Sequence, residues 1–304
     1  APTQPSQQLH MLLLRRATYG PTPQTIAEID ALGAEAWLDA QLNPAGIPDP
    51  DGDAVTALHP ELSWDVAAAN ADLTPYASTL LYAMFGHTIG RSIWSSRQLH
   101  EVMTAFWNNH LHIKGPFWDA WDTRHDYDLK VIRPHALGRF GDMLQAAARH
   151  PAMLRYLDQN NSTATRINEN LGRELLELHT VGVENHREED VLASARMLTG
   201  LWINSTGRYE YRPSAHHVGP LTILGRTFPN TSRHGEVELT AYLDFLARHP
   251  RTAERIARKL VVRFVSDTPP ASLVSRLASV YLANDTAVAP VLRALFTSAE
   301  FAAS

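Results

Sequence analysis

Residues 168–177 read Asn-Glu-Asn-Leu-Gly-Arg-Glu-Leu-Leu-Glu, and this stretch decides the fold class. At about 100° per residue, Leu171, Leu175 and Leu178 form one apolar face of an α-helix, while Leu176 projects from the opposite side. Leucines on both sides predict a helix that the rest of the protein encloses. The same period recurs along most of the chain, so we predict an all-α, multi-helix globular domain.

Outside this stretch, apolar residues at helical spacing predict further helices, and the breaks between them carry helix-start and helix-stop signals. In the helix predicted for residues 95–110, the apolar stripe ends one turn before His110, so this histidine should point inward. Thr22-Pro23 predicts the start of another helix that ends near Gly33. The predicted helices cover residues 95–110, 139–150, 168–181, 188–199, 238–248, 252–266, 271–282 and 287–296.

Three segments depart from the helical pattern. Residues 1–8 are expected to form a flexible N-terminal tail, and residues 44–62, rich in Pro, Asp and Gly, an irregular surface loop. Around residues 208–224, the aromatic and β-branched side chains predict a short β-hairpin. We expect a single helical domain over residues 1–304, because the chain can bury a large core and contains no clear linker.

Composition excludes several function classes. The chain has 27 Lys and Arg against 32 Asp and Glu, so we expect no nucleic-acid partner. No apolar run approaches the roughly 20 residues that span a bilayer, so we expect no membrane partner. The chain lacks cysteine, which excludes disulfides and thiolate metal sites. It begins with Ala-Pro-Thr, which predicts a secreted protein in its mature form after signal-peptide removal.

The motif helix carries the candidate catalytic groups. On the helical wheel Asn170, Glu174 and Glu177 gather within about 60° of arc, with Arg173 beside them. Two adjacent, partly buried carboxyl groups should titrate apart, and general acid/base catalysis at a glycosidic bond uses such a pair. The competing interpretation is a buried polar network, neutralised by Arg173, that fixes helix packing. Asn168 and Glu169 suit the helix start.

Histidines and aromatic residues flank the motif helix in the sequence. His110 and His112 lie at a predicted helix end, where both imidazoles can reach one metal ion, although no specific zinc signature is present. His216 follows the predicted hairpin, where loop histidines suit a binding cleft. We expect at least one of the four nearby tryptophans to face a cleft and stack on sugar rings; they are Trp107, Trp118, Trp121 and Trp202.

The sequence resembles a bacterial family catalogued as domain of unknown function eighteen hundred. The resemblance implies an exported protein, and its site positions would be His110, Asn168, Glu169, Asn170, Arg173, Glu174, Glu177 and His216. The family pattern has His-Asp where this chain has His216-His217, and Lys where it has Leu221, so the resemblance also implies an altered site. The matching blocks are residues 13–23, 106–110 and 168–182, then Glu189-Asp190-Val191, Leu198-Thr199-Gly200 and Ala257-Arg258-Lys259-Leu260.

The leading hypothesis is a secreted hydrolase that acts on a polysaccharide or another extracellular polymer and needs no cofactor. Glu174 and Glu177 are the candidate acid and base, and His110 or His216 would orient the substrate. Because residues three apart on one helix lie side by side, the partner acid could instead be Glu169, Glu189 or Asp190. The candidate substrate-binding residues are Asn170, Arg173, Trp107, Trp118, Trp202 and Tyr209.

Two other functions stay open. One is a metal-dependent oxidoreductase or hydrolase, because mixed imidazole and carboxylate ligands suit divalent transition metals. The other is a non-catalytic carbohydrate-binding protein. The candidate metal ligands are His110, His112, Glu174, Glu177 and His216.

Overall fold

The structure is a computed structural model that describes residues 5–71, 78–114 and 120–304. It confirms the all-α prediction. The α-helices are Pro5–Ala17 (α1), Pro23–Leu32 (α2), Ala34–Leu42 (α3), Pro50–Ala57 (α4), Val66–Ala71 (α5), Ser78–Trp94 (α6), Gln98–His110 (α7), Arg124–Tyr127 (α8), Arg133–His135 (α9), Phe140–Arg149 (α10), Pro151–Tyr156 (α11), Asn170–Glu174 (α12), Glu188–Met197 (α13), Glu236–Ala247 (α14), Pro250–Phe264 (α15), Ala271–Ala283 (α16), Val288–Phe296 (α17) and Ala299–Ala302 (α18).

Shorter helical turns connect these elements. Two of them are π-helical and continue directly from an α-helix, namely Asp128–Ile132 after α8 and Leu175–His179 after α12. The 3₁₀ turns are Pro44–Gly46, Pro60–Ser63, Gln159–Asn161, Val183–Asn185 and Pro213–Ala215. Among the described residues, no helix combines the length and the apolar character that crossing a membrane requires.

Local capping explains where the second helix begins and ends. Thr22 Oγ1 accepts the backbone N–H of Thr25 at 3.1 Å, and Pro23 occupies the first turn, where a missing N–H costs nothing. The helix stops at Gly33, whose φ of 82° suits a residue without a Cβ. These positions confirm the predicted start and end.

Two predictions about irregular segments are wrong. Pro50–Ala57 forms a helix inside the predicted loop, because Pro50 takes the first helical position and Asp51 and Asp53 lie in the positive first turn. Residues 5–8 belong to α1 rather than to a flexible tail, and the rest of the predicted tail, residues 1–4, lies outside the described residues.

The strands form two separate hairpins instead of one. Leu201–Ile203 (β1) pairs antiparallel with Tyr209–Tyr211 (β2), and Leu221–Ile223 (β3) pairs antiparallel with Arg226–Phe228 (β4). The second hairpin closes through Leu224 and Gly225, both at positive φ, as a tight two-residue turn requires. Leucine gives no sequence signal for that conformation, so the prediction placed residues 209–211 and 222–224 in one hairpin.

A single hydrophobic cluster links the N-terminal and C-terminal helices. It contains Leu13 of α1 and Phe301 of α18, together with buried side chains of α7, α10, α14, α15 and α17. The amphipathic α15 contributes Ile256, Leu260 and Phe264 to this core. The opposite edge of α15 therefore stays free for polar side chains.

A buried ionic network fixes α6, α7 and α9. The Glu101 carboxylate accepts hydrogen bonds from Arg91 Nε and Arg133 Nη2, both at 2.7 Å, and Arg91 also contacts Asp49. Burial opposes ionisation of Glu101, but the nearby His100 ring, the hydrogen bonds from Arg133 and the charges of both arginines outweigh burial and hold its pKa well below the usual range. Glu101 is therefore a structural anion.

Candidate functional site

The motif helix changes from an α-helix to a π-helix at its centre. α12 ends at Glu174, and the π turn Leu175–His179 follows without a break. A π turn contains one residue more than an α turn, which rotates every later side chain relative to an α-helical wheel. Leu176 consequently lies in the core, whereas Leu178 is 46% exposed. The predicted apolar face is thus wrong at Leu178, and His179 turns inward.

Beside this π turn lies a cleft of about 340 Å³. Four elements form its walls: the end of α7, the end of α11, the motif helix with its π turn, and the polar edge of α15. Three of the predicted site residues, His110, His112 and Glu174, meet here. The residues that line the cleft are Asn109, His110, His112, Tyr156, Leu157, Glu174, Leu178, His179, Arg255 and Lys259.

His110 is a neutral imidazole with a fixed tautomer. It is only 4% exposed, which confirms that it points inward from α7. Its Nε2 lies 3.0 Å from the carbonyl oxygen of His179, which can only accept, so Nε2 carries the proton. Its Nδ1 accepts a hydrogen bond from Lys259 Nζ at 2.9 Å. Burial first, and then the Lys259 charge, lower the pKa of His110 well below its usual value.

His179 is a second buried imidazole in the cleft. Its ring centroid lies 6.4 Å from that of His110. Burial, with added repulsion from Lys259 and Arg255, lowers the pKa of His179 to about 4. No residue in the described part of the chain hydrogen-bonds its ring nitrogens, so the neutral ring keeps a lone pair.

The side chains of the cleft also cap the end of the motif helix. The last carbonyl groups of a helix have no partner within it. Here His110 donates to the carbonyl of His179, and Arg255 Nη2 donates to the carbonyl of Leu178 at 3.2 Å. The cleft and the helix end therefore hold each other in place.

Arg255 and Lys259 lie one turn apart on α15 and bring two positive charges to the cleft. Within the described residues neither has a carboxylate oxygen within 4.0 Å, the limit for an ion pair. Burial lowers the pKa of both, and the charge of Arg255 lowers that of Lys259 further. Like charges four residues apart on a helix repel each other.

Glu174 is the one carboxyl group among the described residues that line the cleft. Burial first, and then the negative charge of Glu177, raise its pKa, while the charge of Arg173 opposes the shift. Glu177 does not line the cleft; its carboxylate lies 3.3 Å from Arg173 Nη1 and 3.5 Å from His186 Nε2. The two carboxyl groups of the predicted catalytic pair are therefore separated: Glu174 lines the cleft and Glu177 lies outside it.

A family model described as "Protein of unknown function (DUF1800)" matches residues 12–304 of this chain. The chain belongs to DUF1800. No curated protein and no solved structure matches it. Three of the blocks that carry the resemblance converge on the cleft of this DUF1800 protein. Residues 106–110 contribute Asn109 and His110, residues 168–182 contribute Glu174 and His179, and the last block contributes Lys259.

Around Arg173 this DUF1800 protein has a surface ion-pair cluster rather than a substrate site. Arg173 contacts Glu188 at 2.7 Å, Glu169 at 3.2 Å and Glu177 at 3.3 Å. This arrangement matches the structural interpretation of the polar network, although it lies at the surface instead of buried. Asn170 is exposed, and its backbone N–H donates to Asn168 Oδ1 at 2.9 Å, as expected of a helix start.

The two remaining partner acids, Glu189 and Asp190, also lie away from the cleft, in the first turn of α13. Glu189 is exposed. Asp190 accepts the backbone N–H groups of Arg187 at 2.9 Å and Leu224 at 2.7 Å. The carboxylate of Asp190 therefore caps α13 and fastens the second hairpin.

Two predicted site residues are core residues instead. Trp107 is fully buried and donates its indole N–H to the carbonyl of Ala136 at 2.9 Å, so it offers no face to a sugar. His216 is buried between the Thr199 carbonyl at 2.6 Å and Asn230 Oδ1 at 2.8 Å. Burial leaves the Trp107 ring no free face for stacking, and hydrogen bonds within the core occupy both ring nitrogens of His216, so the structure gives their predicted substrate roles no support.

Of the other predicted aromatic residues, those that the structure describes do not line this cleft either. Arg212 lies over the Trp202 ring, with its guanidinium carbon 4.6 Å from the ring centroid. The Tyr209 hydroxyl donates to Glu236 at 3.2 Å, and Tyr209 borders a different cleft. Trp121 borders a third cleft, and Trp118 lies outside the described residues.

The alternative metal ligands do not assemble. Across residues 5–71, 78–114 and 120–304, no group of three His, Asp or Glu side chains is placed to hold a metal ion. His216 contacts Thr199 and Asn230, and Glu177 contacts Arg173 and His186, away from His110. The proposed set of five donors is therefore not a coordination site.

Sequence reasoning missed the residues that give the cleft its charge. Arg255 and Lys259 are separated by four positions within the predicted helix 252–266, beside its apolar face, so a helical wheel contained a signal for them. His179 had no such signal, because only the π turn brings it to the cleft. Tyr156 comes from a short helix that the sequence did not predict.

Proposed function

We propose that this DUF1800 protein is an exported hydrolase that cleaves a glycosidic bond in an extracellular polysaccharide, with Glu174 as the general acid. One observation carries the proposal: a carboxyl group whose surroundings favour its protonated form shares a cleft with imidazoles that stay neutral. Groups with pKa values moved apart in one cleft are what acid/base catalysis requires.

The hydrolytic step assigns a role to each group. Glu174 donates its proton to the glycosidic oxygen as the bond from that oxygen to the anomeric carbon breaks. Water adds to the anomeric carbon, and its proton passes to an imidazole. His179 suits this second role better than His110, because Lys259 occupies Nδ1 of His110. With a pKa of about 4, His179 is as basic as an ordinary carboxylate.

In this mechanism Glu177 is not the second catalytic carboxylate. Its position beside Arg173 and His186 supports a positioning role, in which its negative charge keeps the proton on Glu174. The geometric objection to two catalytic acids three residues apart therefore does not apply.

The test compares Glu174→Gln with Glu169→Gln, a matched change at a half-buried ion-pair residue that occupies the N-cap of the same helix. The readout is the release of reducing ends from a panel of neutral, carboxylated and sulfated polysaccharides. We expect Glu174→Gln to lose roughly 10²–10⁴-fold in turnover, the usual contribution of a general acid, and Glu169→Gln to keep it. Undiminished turnover by folded Glu174→Gln would disprove the role of Glu174.

A second outcome decides between catalysis and binding alone. Tight binding of a polysaccharide without any product after prolonged incubation of the wild type would replace the hydrolase by a non-catalytic carbohydrate-binding protein.

A further inference from the structure

We propose that the substrate of the cleft is an anionic polysaccharide, and that Arg255 and Lys259 bind the acidic group of the sugar that lies next to Glu174. The inference rests on the proposed function and specifies its substrate class. The shared chemistry is a carboxylate or sulfate group on a sugar ring.

The first support is the absence of a counter-charge for two neighbouring cations. Among the described residues, Arg255 and Lys259 have no carboxylate within 4.0 Å, although they repel each other across one helical turn. By contrast, Arg91, Arg133 and Arg155 each contact at least one carboxylate. An arrangement that costs stability in the free protein is explained when a ligand supplies the missing anion.

The second support is an unused donor. Arg255 Nε is buried and has no hydrogen-bond partner among the described residues. A buried donor without a partner destabilises the protein, and a hydrogen bond to a ligand would offset that cost. The guanidinium carries five donors, and the structure uses one nitrogen, Nη2, for the carbonyl of Leu178.

Lys259 provides a second contact point on the same wall. Its ammonium group has three hydrogens and donates one to His110 Nδ1. Burial lowers its pKa, so an anion that approached Nζ would stabilise the charged form of Lys259 and gain binding energy. Carboxylate and sulfate oxygens match both the fork of an arginine and the point charge of a lysine.

Glu174 does not neutralise this wall. It makes no ion pair with Arg255 or Lys259 within 4.0 Å, and the charges that shift its pKa are those of Glu177 and Arg173. The cleft therefore presents two cations and one carboxyl group whose pKa is raised by burial and by the charge of Glu177. A sugar whose acidic group is bound by Arg255 and Lys259 on α15 would have a glycosidic oxygen within reach of the Glu174 carboxyl group.

Binding is measured with the full-length Glu174→Gln protein, which separates affinity from turnover. The probes, titrated calorimetrically, are oligogalacturonate for carboxylates, carrageenan oligosaccharides for sulfates, and cello-oligosaccharides as the neutral reference. We expect one acidic series to bind at least tenfold more tightly than the neutral series, and less tightly at high salt, because salt screens the charges.

The variants test the two cations directly. Arg255→Gln should weaken acidic binding about tenfold or more, as expected for a lost charge-assisted hydrogen bond. Arg255→Lys should restore part of it. Arg258→Gln is the matched control, because Arg258 is an exposed cation on the same helix that does not line the cleft, and it should leave binding unchanged.

Each outcome separates this inference from the proposed function. Equal affinity for neutral and acidic probes, no affinity for either acidic series, or unchanged acidic binding by folded Arg255→Gln would overturn the anion site, even if Glu174→Gln abolishes turnover of a neutral polysaccharide. Acidic binding that depends on Arg255, with normal turnover by Glu174→Gln, would support the anion site and overturn the role of Glu174.

Discussion

Glu174 shows how one side chain is tuned by its neighbours. Three influences act on its pKa: burial and the charge of Glu177 raise it, and the charge of Arg173 lowers it. The carboxyl group therefore holds its proton to higher pH than an ordinary glutamate does. If Glu174 is the general acid, activity falls as pH rises through its pKa, because the donor loses its proton.

Removing the charge of Glu177 should move the alkaline limb of the pH–activity profile, where Glu174 loses its proton. In Glu177→Gln the repulsion disappears, the pKa of Glu174 falls, and the alkaline limb of kcat/KM shifts to lower pH. Glu35→Gln, an equal change at an exposed residue of α3, should leave the limb in place. A shift to higher pH, or an equal shift in both variants, would contradict the assignment.

A raised carboxyl pKa also has a cost in stability. The folded state binds this proton more tightly than the unfolded chain, so stability falls as pH rises from the ordinary glutamate pKa to the raised one. We therefore expect Glu174→Gln to have a higher Tm than the wild type at neutral pH. The difference should shrink below about pH 4, where both states hold the proton. Thermal unfolding measured between roughly pH 3 and pH 8 gives this difference in Tm. A lower Tm for Glu174→Gln than for the wild type at neutral pH would refute the prediction.

At the scale of elements, the close approach of α12 and α13 depends on Gly172. A Cβ at this position would lie 2.8 Å from the backbone nitrogen of Ala195 and 3.1 Å from its Cα. Backbone atoms cannot move aside as a side-chain tip does, so Gly172→Ala must push the helices apart.

We expect Gly172→Ala to destabilise the protein by about 1–3 kcal/mol, the usual cost of overpacking. Urea denaturation measures the loss. Gly138→Ala is the control, because its nearest neighbour would be 3.5 Å away, an ordinary contact. Equal stability of the two variants would show that the helices separate without cost.

The network that fixes α6, α7 and α9 predicts a larger loss. Glu101→Gln leaves Arg91 and Arg133 buried beside a neutral amide, and breaking a buried ion pair in this way costs about 3–5 kcal/mol. Glu300→Gln, which breaks a solvent-exposed pair with Arg276, should change little. The free energies of unfolding of both variants, from denaturant titration, check the prediction. A small effect at Glu101 would mean that the remaining carboxylates, Asp49 beside Arg91 and Asp128 beside Arg133, compensate the two arginines.

Across the whole molecule, the sequence was most informative where a period of 3.6 residues runs unbroken. The stripe that ends at His110 predicted both α7 and the inward direction of this imidazole correctly. The helical wheel failed after Glu174, because the register of a π turn depends on tertiary packing and not on local propensity. Leu178 was misplaced for this reason, and the same π turn separates Glu177 from Glu174 and brings His179, which had no predicted role, to the cleft.

The overall composition gave no indication of the positive charge of the cleft. The formal net charge of −5 argued against nucleic acid as a partner. Yet charges separated by more than the Debye length, about 8 Å at physiological salt, are largely screened, so a local pair such as Arg255 and Lys259 decides what binds beside it. An average over 304 residues contains no information about such a pair.

The bond between His110 and the carbonyl of His179 has a consequence for mutational tolerance. The group that selects the tautomer of this imidazole belongs to the main chain, and every amino acid at position 179 would supply it. Point substitutions in the π turn therefore leave the tautomer unchanged as long as the turn keeps its length. A deletion of one residue between positions 175 and 179 would convert the π turn into an α turn and carry that carbonyl away. The tautomer of His110 is therefore robust to substitution in the π turn and sensitive to a change in its length.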